Sequence, residues 1–204
     1  MKIIELKTTL FEYSLDRTMG DANSPRGRKK AGNCLVEVLT DEGITGISIG
    51  GGGSIPQIKM LFDGILLGED PRAVKSLWKR MIDRFFKGGH DGIANDAISV
   101  LDVALWDLKS KYNNEPLWKT LGGNNEKINV YASDIALPIS DEDIYQWYLK
   151  MATKFGFNAG KLKVGLDQDS DLHRLQLMYD ALKHSGKEPI LYLDSNEYWS
   201  PKQT

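Results

Sequence analysis

Three short β-rich runs in the C-terminal part of the chain constrain its fold more than any other feature. They are INVYA at 128–132, GKLKV at 160–164 and ILYLD at 190–194, with starts 32 and 30 residues apart. Helical patterns fill the intervals at 141–155, where Ser140 can serve as N-cap, and at 169–185. Strands separated by helices of this length are joined by crossovers, which pair them in parallel. An open doubly wound sheet and a (β/α)8 barrel both begin with such an array. No glycine-rich dinucleotide fingerprint follows any of the three runs, so the barrel is favoured.

The residues before 126 follow a different pattern. Residues 1–15 form short β-rich runs, and NCLVEVLTDEGITGISI at 33–49 reads as two alternating strands joined at Asp41-Glu42-Gly43, so the chain opens on an antiparallel sheet. Residues 16–32 hold Gly, Pro, Asn and Asp with five basic residues and hardly any apolar anchor. That composition predicts a long, mobile polar loop. Helical segments follow at 56–67, 71–86 and 91–112. In the last, Ile93, Ala97, Val100, Leu101, Ala104, Leu105 and Leu108 recur at spacings of three and four and make one apolar face. The chain therefore reads as an α+β domain over 1–125, then the first three strands and two helices of a (β/α) barrel over 126–204.

Charge and cysteine content narrow the partners. With 26 Lys+Arg against 28 Asp+Glu, the formal charge of −2 leaves no electrostatic footprint for nucleic acid or an anionic membrane. Cys34 is the only cysteine, which excludes an intramolecular disulfide and a thiolate metal cluster and fits a reducing compartment. Glu5, Lys7 and Glu12 interrupt the apolar residues of the N-terminus, and no stretch reaches 18 apolar residues. A cytoplasmic protein is expected.

The chemistry concentrates on two strand ends. Side chains alternate along a strand, so Lys161 and Lys163 share one face while Leu162 and Val164 share the other; in ILYLDSN, Tyr192, Asp194 and Asn196 lie opposite Leu191 and Leu193. The apolar set suits the helix-covered outside of a barrel. The charged set then faces the interior at the C-terminal ends of the strands, where barrel enzymes build active sites. Two neighbouring ammonium groups repel, which lowers the pKa of at least one and prepares a lysine base; a divalent metal on Asp194 would add to the shift. Spacing alone fits equally well a set of exposed charges at ragged strand ends.

At these residues the sequence resembles the mandelate racemase and muconate lactonizing branch of the enolase superfamily. The matching segments are KLK at 161–163, DSN at 194–196, ALWDLKSKYNNEPLWKTLGG at 104–123 and LVEVLTDEGITGISIG at 35–50. The resemblance implies an N-terminal α+β capping domain followed by a modified (β/α)8, TIM-like barrel. It implies Lys163 as general base, Lys161 as the neighbour that sets its pKa, Asp194 as a ligand of Mg²⁺, and Asn196 as a polar contact near substrate. A Mg²⁺-dependent proton abstraction α to a carboxylate follows, with a sugar-acid or other hydroxy-acid dehydratase preferred over a racemase, epimerase or cycloisomerase. A lysine base with an enediolate stabilised by Mg²⁺ is a known pattern of this superfamily. A homo-oligomer acting on a small carboxylate is expected, without nucleic acid or membrane.

A complete barrel takes about 250 residues, far more than lie between 126 and 204. The further acidic ligands and an opposite-face acid or base are not in this sequence, and the chain reads as truncated, a piece of a longer enzyme. An inactive fragment or association-only domain is the competing reading, which the intact Lys161, Lys163 and Asp194 oppose.

Other features carry less. Gly50 to Gly53 with Ser54 lack the Gly-Lys-Ser/Thr of a phosphate loop and read as a flexible connection beside the substrate pocket. By the resemblance the 16–32 loop covers the barrel mouth, which makes Arg26 and Arg28 candidates for contact with an acidic substrate; a solvated basic loop is the plainer reading. His90 reads as a loop residue, His173 and His184 as surface positions on a helical stretch, and Trp106, Trp118 and Trp147 as core.

Overall fold

The computed structural model describes residues 1–89, 91–133 and 137–203; His90 lies outside them. The chain divides into two compact units, one of residues 1–13 and 32–127 and one of residues 14–31 and 128–203. Strands β1 (Ile3–Met19) and β2 (Arg28–Thr40) run from the first unit into the second.

In the first unit β1, β2 and β3 (Thr45–Gly50) form a sheet in that order, with β2 antiparallel to β3. Alternation puts Cys34, Val36, Val38 and Thr40 of β2 inward, all buried. On β3 the inward positions are Gly46 and Ser48. A Cβ at Gly46 would lie 2.2 Å from the carbonyl oxygen of Ala104, so glycine there lets helix α3 (Gly92–Tyr112) lie directly on the strand. Asp107 of α3 fastens the contact by accepting from the Ile47 N–H at 2.8 Å. Helices α1 (Ile55–Leu61, extended by a π-helical turn at Phe62–Leu66) and α2 (Val74–Arg84) complete the core. A short helix, α4 (Leu117–Thr120), follows.

Most of the predicted face of α3 is buried, from Ala97 through Leu108, but Ile93 in its first turn is exposed. One sequence expectation changes here. Residues 16–32 are mostly strand, with a connection confined to 20–27, because a two-stranded ribbon satisfies its backbone through the ladder and needs few apolar anchors. At the two ends of the 50–54 segment Gly50 abuts Val100 and buried Ser54 donates its hydroxyl to the Gly51 carbonyl at 2.9 Å, while Gly51 and Gly53 between them are exposed.

The second unit contains a parallel sheet of β4 (Ala132–Ser133), β5 (Ala159–Lys163) and β6 (Ile190–Asp194). Of the predicted INVYA strand only its last residue joins the ladder, which extends through Ser133. Helix α5 (Asp141–Phe155) is capped by the Ser140 side chain, which accepts from the Asp143 N–H. Helix α6 (Gln168–Leu182) is capped by Asp167, which accepts from the Ser170 N–H at 2.8 Å. Both helices cover one side of β5, where a Cβ on Gly160 would meet Tyr148, Leu182 and Met178 within about 3 Å. Buried Tyr148 donates its hydroxyl to the Lys161 carbonyl at 2.6 Å, and burial pushes that phenol well above its usual pKa. No helix among the described residues is long and apolar enough to cross a membrane.

Candidate active site at the ends of β5 and β6

Register decides which side chains meet. Lys161 is paired with Tyr192 and Lys163 with Asp194 across β5 and β6, while Ser133 of β4 lies beside Lys161. Since Gly160, Leu162 and Val164 are buried on the helix side, the lysines, Tyr192 and Asp194 share the opposite face.

The ammonium groups converge on one carboxylate. Asp194 Oδ2 accepts from Lys161 Nζ at 2.8 Å and from Lys163 Nζ at 2.7 Å, and Asp194 Oδ1 accepts from the Asn196 N–H at 3.0 Å. Lys163 also donates to Asn196 Oδ1. Hydrogen bonds from Lys161 and Lys163 hold the Asp194 carboxyl well below the usual carboxylate range, against the opposing effect of burial. Lys161 moves the other way: its hydrogen bond to Asp194 raises its pKa. The repulsion expected to lower a lysine is outweighed at Lys161, because the shared carboxylate lies between the two charges. With all three groups ionised the cluster is net positive, which suits an anionic substrate.

Aromatic rings border it. Tyr131 packs on Tyr192 with centroids 4.9 Å apart, and Lys161 Nζ lies 5.9 Å from the Tyr131 ring. Beyond β6, Asn196 and Glu197 have φ of 49° and 58°, a conformation that costs on the order of 1 kcal/mol or more per non-glycine residue and collects at functional sites.

The structure thus brings together Lys161, Lys163, Asp194 and Asn196. Arg26 and Arg28 are exposed, and the hydrogen bonds of the cluster do not involve them. The hairpin residue that reaches the site is Asn23, whose side-chain amide donates to the Asn196 carbonyl. Sequence reasoning missed it; its only local signal is an Asn in a turn. His173 and His184 are exposed and apart from the cluster. Asp194 offers the hard oxygen that Mg²⁺ prefers, but no group of three or more His, Cys, Asp or Glu able to hold an ion occurs among the described residues. The donor set fits one ligand of such an ion.

Comparison with known proteins bears on the fold and the family. The sequence model described as the mandelate racemase / muconate lactonizing enzyme N-terminal domain matches residues 22–122. The chain belongs to the mandelate racemase and muconate lactonizing family of the enolase superfamily. It is 34% identical over 178 residues to a 3,6-anhydro-α-L-galactonate cycloisomerase of Streptomyces coelicolor, which covers 81% of this chain and 46% of that relative. It is 29% identical to the L-talarate/galactarate dehydratase of Salmonella typhimurium, over 95% of this chain and 50% of the enzyme. A racemase structure from Streptomyces coelicolor with bound magnesium superimposes with a TM-score of 0.85 at 29% identity, covering 97% of this chain and 56% of that one. The chain spans about half the length of the curated relatives it matches. The match comprises the family's N-terminal capping domain and a parallel sheet that begins the barrel.

Proposed function

We propose that the protein carrying this chain removes the proton α to the carboxylate of a sugar acid, with Lys163 as the base. The observation that carries the reading is the convergence of Lys161 and Lys163 on Asp194, with Asn196 also accepting from Lys163. Lys163, as the free amine, takes the α-proton at Nζ. Asp194 and the Asn196 side chain orient that nitrogen, and Lys161, on the same carboxylate, adds the positive charge that favours the neutral amine and attracts the substrate carboxylate. Asp194 would hold Mg²⁺, which when bound supplies Lewis-acid relief of the charge that builds on the carboxylate. Loss of a β-hydroxyl as water would complete a dehydration, as the galactarate dehydratase relative suggests; the 34% identity to a cycloisomerase favours ring opening as the second reading.

Galactarate and 3,6-anhydrogalactonate, incubated in D₂O with Mg²⁺ and this protein, should incorporate deuterium at the α-carbon. Lys163→Ala should lower that rate by about three orders of magnitude, within the usual range for a positioned general base. Undiminished turnover or exchange in Lys163→Ala sinks the assignment.

A further inference from the structure

Among the described residues only two charged side chains are buried: Lys163, 5% exposed, and Asp171, 8% exposed. They bracket one turn. Lys163 ends β5, and Asp171 stands in the first turn of α6. Burial of Lys163 is explained by Asp194 and Asn196. Burial of Asp171 has a different reason, because its carboxylate accepts from the backbone N–H of Gly165 at 2.8 Å. A buried carboxylate is costly unless it is hydrogen-bonded, and the start of a helix is where its charge is best tolerated.

The Gly165 peptide is gripped from the other side as well. Its carbonyl accepts from the Trp199 indole N–H at 3.3 Å. Its φ of +128° suits glycine, and a Cβ there would lie 3.3 to 3.4 Å from Ser195, Trp199 and Ala22. The turn two residues beyond Lys163 is therefore fixed at N–H, at C=O and by packing.

Resting on the reading of Lys163 as base, we propose that Asp171 is a positioning residue for it. By holding the Gly165 amide, Asp171 sets where β5 ends and so keeps the Lys163 amine between Asp194 and Asn196. It touches none of the reacting atoms. Asp171 also lines a cleft of about 570 Å³ with Val164, Leu172 and Trp199, so truncating it gives water access to the freed amide and need not unfold the unit.

The test is residue-resolved labelling of lysines with limiting acetic anhydride at one fixed pH, on the protein carrying this chain. Asp171→Ala should speed labelling of Lys163 about fivefold or more through local opening, while Lys161 and Lys187 change less than about twofold. Asp171→Asn, whose side-chain oxygen can still accept from Gly165, should label like the wild type. Unchanged Lys163 in Asp171→Ala, Asp171→Asn behaving like Asp171→Ala, or all three lysines rising together would each overturn the proposal. If Asp171→Ala does not fold, Trp199→Phe removes only the other grip and must speed Lys163 labelling in the same sense; no change there also overturns it. The readout needs no turnover. Selective exposure of Lys163 in a protein whose Lys163→Ala form still exchanges the α-proton would keep the clamp and overturn the catalytic reading instead.

Discussion

The two compact units use their strand faces in opposite ways. In the first, β2 and β3 turn apolar residues and glycine toward α3, and Val36, Val38, Leu101, Leu105 and Leu108 are buried in one continuous core. In the second, the helix-covered side of β5 is comparably packed, but the other side presents Lys161, Lys163, Asp194 and Tyr192. A buried apolar face specifies how a sheet packs. A face lined with charges that share one carboxylate is the one on which the proposed proton abstraction rests.

That contrast can be broken at either end. Leu105→Ala removes a fully buried side chain from the first core and should cost about 3 kcal/mol, read as a lower denaturant midpoint with unchanged α-proton exchange in the folded protein. A loss of exchange comparable to that of Lys163→Ala would erase the division between a stabilising and a reacting face. Asp194→Asn should do the reverse. Outer-shell changes at metal sites typically cost ten- to a hundredfold in affinity, so loss of this carboxylate should weaken Mg²⁺ binding by roughly a hundredfold or more by calorimetry. Mg²⁺ affinity that survives this substitution would remove Asp194 from the ligand set.

Smaller effects sharpen the comparison. Tyr148→Phe deletes the hydroxyl that donates to the Lys161 carbonyl and should lower stability by about 1 kcal/mol in thermal unfolding. In the first unit, hydrogen bonds from Arg72 hold the Asp70 carboxyl at a pKa of about 2, below the ordinary carboxylate value. Its folded pKa is depressed, so the pair contributes stability that is present above the unfolded pKa and lost as pH falls through the folded one. Both groups are substantially exposed, which keeps the contribution small. The fall in unfolding midpoint from about pH 5 to about pH 2 should be slightly smaller in Asp70→Asn than in the wild type.

Much of the scaffold is legible in the sequence because its signals are local. The α3 face follows from periodicity within one helix, the Ser140 cap from one residue before the next, and the parallel β5 and β6 from the spacing of neighbouring elements, while strand alternation puts Lys161, Lys163 and Asp194 on one face. What is not legible depends on partners distant in the chain. The ladder that turns 16–32 into strand, Asn23 reaching Asn196, and Asp171 holding Gly165 are not encoded in any one window. The rise in the Lys161 pKa is illegible for the same reason: spacing reports the neighbouring ammonium but not a carboxylate shared across strands.

The hairpin carries a consequence for recombination. Residues 14–31 belong by contact to the unit that begins at residue 128, although they are inserted in the sequence of the other. A crossover near residue 127 that joined this N-terminal half to a different C-terminal part would separate Asn23 from Asn196 and Ala22 from Gly165. Chimeras should therefore exchange two segments together, the hairpin tip with the parallel-sheet unit, or accept one inherited mismatch at the rim of the lysine cluster.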